Sequence, residues 1–380
     1  MAWTTDDIPE LTGRTAVVTG ANGGLGFETA RALARRGAHV VMAVRNLERG
    51  EPARDAIIRD TPAASLELVV LDLASLASVR EAGATIAAAH PVVDILVNNA
   101  GVMGIPYRRT TDGHEMQFAV NHLGHFALTA LLMPSMLRSD AGRVVSVTST
   151  ARFLGRTVDP HDPSTEKGYG PWRAYGRAKL AAAQFTVELD RRLATAGAPV
   201  RALAADPGFA RTDLQANSAR QKPGLSQRFF DASVRRVGST PERGALPQLR
   251  AATDPRASGG ALYALRFVMR GAPVRFPYLS PFLGEKSRAT LWTVSEREGR
   301  AVRRRGDGPP GAASISPGVE RRRGGARRRR DVTCPRRRRS SGRGPGRGPA
   351  WIVADAPTMR ARLQAVEGQC RARIARISSP

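Results

Sequence analysis

Between Thr15 and Gly26 the chain reads TAVVTGANGGLG, an apolar run that stops at four closely spaced glycines. Ala16, Val17 and Val18 form a continuous apolar stretch, the pattern of a strand covered on both faces in a parallel sheet. Gly20, Gly23, Gly24 and Gly26 then permit a tight turn and a close approach to a bulky ligand, because no Cβ stands in the way. From Leu25 the pattern turns helical, with Leu25, Thr29 and Leu33 along one side and Gly37 as a stop. The N-terminal N–H groups of that helix face whatever lies over the glycines, and an anion such as a pyrophosphate suits them.

The same alternation of buried strands and helices continues downstream. Further strands are predicted at 39–44, 66–71, 94–97, 142–148, 200–205 and 260–265, and helices at 76–89, 112–137, 171–196 and 242–251. The fold class is therefore α/β: a doubly wound, mostly parallel, Rossmann-type sheet of about seven strands with helices on both faces. Arg45 follows the second strand, where an acid would bind an adenosine 2′-hydroxyl and a base favours a 2′-phosphate; a solvated arginine is the alternative. Asn46 is placed to cap the next segment. Asn121 falls in the middle of a helical pattern, where its amide competes for backbone groups, so its presence needs a reason. Tyr175 and Lys179 are four residues apart on a helix and share a face. His114, His122 and His125 lack a framework such as HExxH, and packed histidines with no metal site are expected.

Charge divides the chain. The net charge is +26, and residues 299–380 hold 22 Arg, no Lys and 5 acids. We therefore divide it into a folded domain at 1–298 and an Arg/Gly/Pro-rich extension at 299–380, read as disordered because it cannot bury enough apolar surface. The extension fits three readings: a solvated tail, a nucleic-acid arm, or a stretch translated out of an ancestral frame. It has no aromatic interleaving at 299–349 with which to read bases, so only nonspecific, salt-sensitive nucleic-acid binding is expected of it. The opening MAWTTDDIPE is acidic and polar, unlike a secretory leader, and the longest apolar segment, 126–137, is too short to span a bilayer. Cys334 and Cys370 both lie in the extension, so no disulfide scaffold is expected in the domain. A cytoplasmic protein without a membrane span is the expectation.

TGxxxGxG at Thr19 to Gly26, NNAG at Asn98 to Gly101, Asn121, Ser149 after the fifth strand, YxxxK at Tyr175 to Lys179, and Pro207-Gly208 with Thr212 occur in this order. Together they resemble the short-chain dehydrogenase/reductase family over about residues 13–295. NHLGHF from Asn121 and the long gap from Ser149 to Tyr175 resemble its retinol dehydrogenase-like and protochlorophyllide reductase-like branch. The resemblance implies an NADP cofactor, with NAD as the alternative. It would be held by Gly20, Asn22, Gly24, Leu25, Gly26, Arg45, Asp72, Leu73, Asn99, Ala100, Gly101, Tyr175, Lys179, Pro207, Gly208 and Thr212. It also implies a catalytic set of Asn121, Ser149, Tyr175 and Lys179. Tyr175 would pass a proton to the substrate oxygen, which Ser149 would hydrogen-bond; Lys179 would supply a fixed charge and hold the nicotinamide ribose. Asn121 would mark a helix distortion that anchors a water.

A free tyrosine titrates near 10, so a phenolate at neutral pH asks for about 4 kcal/mol of preferential stabilisation. Two positions depart from the family: Thr148 stands where a serine is usual, and Asp206 where this branch often has a histidine. The expected partner is a small carbonyl or alcohol. The aromatic content of Phe153, Tyr169, Trp172, Phe229 and Phe230 suggests a lipophilic molecule, although such residues serve equally as packing. The rival readings are a catalytically silent NAD(P)-binding regulator and nonspecific nucleic-acid binding through the extension. A homo-oligomer is compatible with all three.

Overall fold

The protein is described from a computed structural model, which covers residues 2–166, 168–209, 238–267, 270–278 and 283–300. The chain alternates β1 (Thr15–Thr19), α1 (Gly24–Arg35), β2 (His39–Val44), α2 (Leu47–Asp60), β3 (Ser65–Val70), α3 (Leu76–Ala89) and β4 (Ile95–Asn98). A short α4 (Met116–Phe118), a π-helical turn (Ala119–Leu123) and α5 (Gly124–Met136) follow. Then come β5 (Arg143–Val147), α6 (Pro171–Thr195) and β6 (Arg201–Asp206). The described chain closes with α7 (Pro241–Thr253), β7 (Leu262–Leu265), β8 (Pro273–Phe276) and α8 (Glu285–Arg300).

One sheet runs in the order β3-β2-β1-β4-β5-β6-β7-β8, parallel throughout except for the antiparallel β7–β8 pair. It has eight strands where about seven are predicted. The extra strand, β8, is short and half exposed, reads PVRF and lacks the continuous apolar character of its neighbours. Strand order reverses beside β1, which pairs with β2 on one side and β4 on the other, and open α/β sheets bind ligands at such a reversal.

Successive strand residues point to opposite faces, so each strand feeds two cores. Val17, Val41, Leu96 and Val144 face α3, α5, α6 and α8, while Val18, Met42, Val97 and Leu203 face α1, α2 and α7. Each fully buried side chain of this size contributes about 1.5–3 kcal/mol. No helix is predicted over 252–298, yet Leu291 to Glu296 form the middle of α8. Trp292 stacks on Phe185 at 6.1 Å, meets Phe126 edge-on at 5.3 Å, and carries the Arg192 guanidinium 4.1 Å above its ring. The Arg-rich extension lies outside the described residues. Among those described, no helix is long and apolar enough to cross a membrane.

The helix expected over 112–137 starts only at Met116 and is interrupted. Residues 109–115 form a turn closed by a bridge between Arg109 and Glu115, and the buried Glu115 carboxylate caps α4 by accepting from Gln117 N and Phe118 N. Asn46 does precede α2 with extended backbone, but its side chain makes no capping hydrogen bond.

The π turn points two histidines into the interior. Ser295 Oγ donates to Leu291 O, so His122 Nε2–H must donate to Ser295 Oγ at 2.7 Å. His125 Nε2 lies 2.9 Å from Thr19 Oγ1. Burial pulls both imidazoles down from 6.5 to about 3 and keeps them neutral. Between these values the unfolded chain binds more protons than the folded one, so this contribution is complete above about 6.5 and fades as pH falls toward 3. We expect Tm to drop on acidification through this window. His122→Gln keeps a donor for Ser295 without the titration, so its Tm should drop less; equal drops in scanning calorimetry would contradict this account.

Candidate active site

Six of the predicted segments follow the carboxyl ends of six strands and so share one edge of the sheet. Gly20, Asn22, Gly24, Leu25 and Gly26 shape the turn from β1 into α1, and Arg45 follows β2 with its side chain exposed. Asp72 and Leu73 link β3 to α3; Asn99, Ala100 and Gly101 follow β4; Ser149 follows β5; Pro207 and Gly208 follow β6. Thr212 lies outside the described residues, as do Phe229, Phe230 and most of the region between β6 and α7.

The first turn is built for close approach. Gly20 has φ +67°, and a Cβ on Gly26 would stand 2.2 Å from the Gly20 carbonyl oxygen and 2.6 Å from Asn99 Nδ2. NNAG docks on this turn through one hydroxyl. Thr19 Oγ1 accepts from Asn99 N at 2.9 Å and Ala100 N at 3.0 Å, while Asn99 Nδ2 donates to Thr19 O at 2.8 Å. Gln248, from α7, donates to the hydroxyl of Thr29 and reaches Asn99 Oδ1 at 3.4 Å, which ties α7 to the same turn. Neither Gln248 nor His125 is foreseen from sequence, since each acts through partners more than 100 residues away.

Asn121 sits inside the π turn, as the resemblance implies for a distorted helix. Its amide pairs with one residue, accepting from Val102 N at 2.9 Å and donating to Val102 O at 2.8 Å. A small void beside it is lined by Asn98, His122, His125, Ser146 and Val147. Asn98 Oδ1 and His122 Nδ1 are buried there without a partner, but the void is too tight to hold a water.

Helix α6 begins with Pro171 at its first turn and buries Tyr175 and Lys179. It lies close against the 3₁₀ turn Thr150–Leu154: a Cβ on Gly176 would stand 2.5 Å from Ala151 O, so only glycine lets the two backbones approach this far. The approach sets the Ser149 hydroxyl beside that of Tyr175. Lys179 Nζ donates to Val147 O at 2.9 Å and lies 5.9 Å from the centre of the Tyr175 ring. Thr148, the first departure, donates to Lys179 O at 2.7 Å and so ties β5 to α6. Trp172 meets the Tyr175 ring edge-on at 6.0 Å. Tyr169, by contrast, spends its hydroxyl on Ile105 O and Glu115 and is a packing residue.

The second departure, Asp206, is part of a buried ion pair. Arg152 Nη1 donates to Asp206 Oδ2 at 2.7 Å and to Ser149 O at 3.0 Å, and both charged side chains are 3% exposed or less. Asp206 Oδ1 accepts from Gly208 N at 3.0 Å. One pair thus holds both the segment after β5 and the turn after β6. Arg152 escapes sequence reading because an arginine in TARFLG has the look of a solvated residue.

The electrostatics differ from the expectation at Tyr175. Burial pushes its phenol up, the neighbouring Ser149 hydroxyl opposes this, and Asp206 adds to it. The Lys179 charge is turned toward Val147 and does not compensate for the lost water, so the phenol is held in its neutral, proton-bearing form. Burial lowers Lys179 to about 8, against the pull of Asp206.

The short chain dehydrogenase profile matches residues 14–223, and the chain belongs to that family. Human retinol dehydrogenase 13 is 45% identical over 205 residues, 54% of this chain and 61% of that protein. The match therefore spans less than two thirds of that relative. Mouse polyprenol dehydrogenase is 40% identical over 256 residues, 66% of this chain and 75% of its own. Such relatives define a retinol dehydrogenase-like branch. Among solved structures, an uncharacterised protein from Mycobacterium paratuberculosis superposes with a TM-score of 0.64 at 39% identity, covering 79% of this chain and 98% of that one. A Beutenbergia cavernae protein described as an NAD(P)-dependent gluconate 5-dehydrogenase, with bound NADP, gives 0.52 at 29% identity and covers 67% and 95%.

Proposed function

We propose that the protein is an NADP-preferring oxidoreductase that interconverts a carbonyl and an alcohol on a small lipophilic substrate. The observation that carries this reading is the Ser149 hydroxyl set beside that of Tyr175, one helical turn from buried Lys179, at the same sheet edge as the glycine turn. The turn at Gly20 to Gly26 leads into the N-terminus of α1, whose free N–H groups suit a pyrophosphate. Arg45 would meet a 2′-phosphate, and Asp72 with Leu73, Asn99 to Gly101 and Pro207-Gly208 would line the remaining length. When bound, the nicotinamide supplies or accepts the hydride.

The protein side of the reaction is proton handling. Tyr175, neutral by burial, gives its proton to the carbonyl oxygen as negative charge develops there, and Ser149 holds that oxygen by its hydroxyl. Lys179, charged below about 8, lies 5.9 Å from the centre of the ring on which the phenolate would form. By the family resemblance, Asn121 would anchor the water that restores the proton. Retinol and polyprenol, named for the relatives, are lipophilic alcohols, and the edge contact of Trp172 on Tyr175 provides an apolar wall beside the reacting group.

A panel of aldehydes, ketones and alcohols including retinol and a polyprenol, followed by nicotinamide absorbance, tests the reading. Cofactor binding without turnover on any of them would favour the silent regulator. Arg45→Asp should shift the NADP over NAD ratio of kcat/KM by about 10-fold to 100-fold toward NAD, the worth of a charged hydrogen bond. No shift would leave Arg45 a solvated side chain.

A further inference from the structure

We propose that His39, Glu67 and His90 bind a divalent cation of borderline softness, of the Zn2+ class, at the edge of the sheet opposite the candidate active site. His39 opens β2 and pairs with Ser65, which opens β3. The two-residue period puts His39, Ser65 and Glu67 on one face, the face that carries Val41 and Val69 into the core against α3. His90 is the residue immediately after α3. Three elements thus converge at the amino ends of the strands, whereas the glycine turn and Ser149 follow carboxyl ends. No short-range spacing links positions 39, 67 and 90, which is why sequence reading, looking for HExxH, found no metal site.

The donor atoms already stand together. His90 Nε2 is 2.8 Å and His39 Nε2 3.5 Å from Glu67 Oε2, and the rings of the two histidines are 4.9 Å apart. One ligand atom from each of the three lies within 4.8 Å of the others. Around a tetrahedral ion with bonds of about 2.1 Å, donors stand about 3.4 Å apart, so small ring rotations suffice to close the site.

A simple Glu67–His90 hydrogen bond explains two of these side chains but not the third. His39 Nε2 is shielded from solvent and has no hydrogen-bond partner, although it faces the carboxylate. Its Nδ1 is 2.7 Å from Ser65 Oγ. With Nδ1–H donated to Ser65, the Nε2 lone pair points at the Glu67 carboxylate and lacks a counterpart that a cation would provide. An imidazole held by its far N–H is the usual arrangement of a metal-bound histidine. Two imidazoles and one carboxylate are a zinc donor set with one position left for water, and they do not suit Ca2+ or Mg2+, which take oxygen ligands. The ion would join the edge strand β3 to β2 and to the end of α3.

The test uses the full-length, tag-free chain carrying Cys334→Ser and Cys370→Ser, so that no thiol competes, after treatment with a chelator. Titration with Co2+ should give one equivalent with the visible absorption of a low-coordinate nitrogen and oxygen site, and Zn2+ should displace it. His39→Gln and His90→Gln should each weaken binding at least about 10-fold, and Ser65→Ala, which removes only the support of His39, by about 10-fold to 100-fold. Zn2+ should also raise the Tm of the parent more than that of His39→Gln. Absence of a stoichiometric Co2+ complex in the parent overturns the proposal, and so does a complex whose affinity is the same in His39→Gln and His90→Gln.

Discussion

Tyr175→Phe is expected to lower kcat by about 1,000-fold while leaving the Kd for NADPH within about threefold, since a positioned proton donor contributes about 100-fold to 10,000-fold. The substitution removes one oxygen and nothing else. The phenyl ring keeps its edge contact with Trp172 and its buried place on α6, so the fold and the glycine turn are undisturbed. Ser149 remains at the start of its 3₁₀ turn, where its Oγ accepts from Ala151 N at 3.2 Å. Steady-state rates with the best substrate of the panel, and quenching of protein fluorescence by NADPH, measure the two quantities. An unchanged kcat would remove Tyr175 from the chemistry; a lost affinity would show that its hydroxyl is a cofactor contact first.

Asp206→Ala should destabilise the protein by about 3–5 kcal/mol, because it leaves the Arg152 guanidinium charged and unpaired where neither side chain reaches water. Replacing both partners by apolar residues, Arg152→Met with Asp206→Leu, should recover most of that loss, since a buried pair repays little more than its own desolvation. Activity should not recover with stability. The double variant still lacks the bonds from Arg152 to Ser149 O and from Gly208 N to Asp206, which hold the two segments flanking the Ser149 hydroxyl. Urea denaturation and kcat/KM on the same preparations separate the effects. A double variant as unstable as Asp206→Ala would mean that the pair is net stabilising, and one with parental kcat/KM would mean that it positions nothing.

The parallel strands and the order of the motifs were legible because both are written locally. Ala16 to Val18 and Val144 to Val147 are apolar on both faces, and a glycine cluster or an Asn-Asn-Ala-Gly run needs no distant partner to be recognised. Asn121 was legible as an anomaly through its poor helix propensity, and the family resemblance implied a distortion there without its limits. What stayed hidden depends on residues that meet across the fold. Arg152 finds its counter-ion 54 positions away, and Thr19 finds His125 at a distance of 106. The neutral state of Tyr175 follows from how little water reaches it, a quantity that spacing does not encode. Strand β8 escaped because PVRF is short and lacks a continuous apolar run, and α8 because its apolar residues make sense only once Phe126 and Phe185 supply the surface for Trp292.

The π turn has a consequence for chain length. An α turn at this place would need one residue fewer, and removing one from 119–123 would let the helix close in that way. The α turn covers nearly the same rotation with one residue fewer, so the helices on either side would keep their facing and the residues of the turn itself would be re-aimed. Those are Asn121, which pairs with Val102, and His122, which pairs with Ser295. The number of residues between Phe118 and Gly124 is therefore a fixed dimension of the molecule, as intolerant of change as the identity of the side chains it aims.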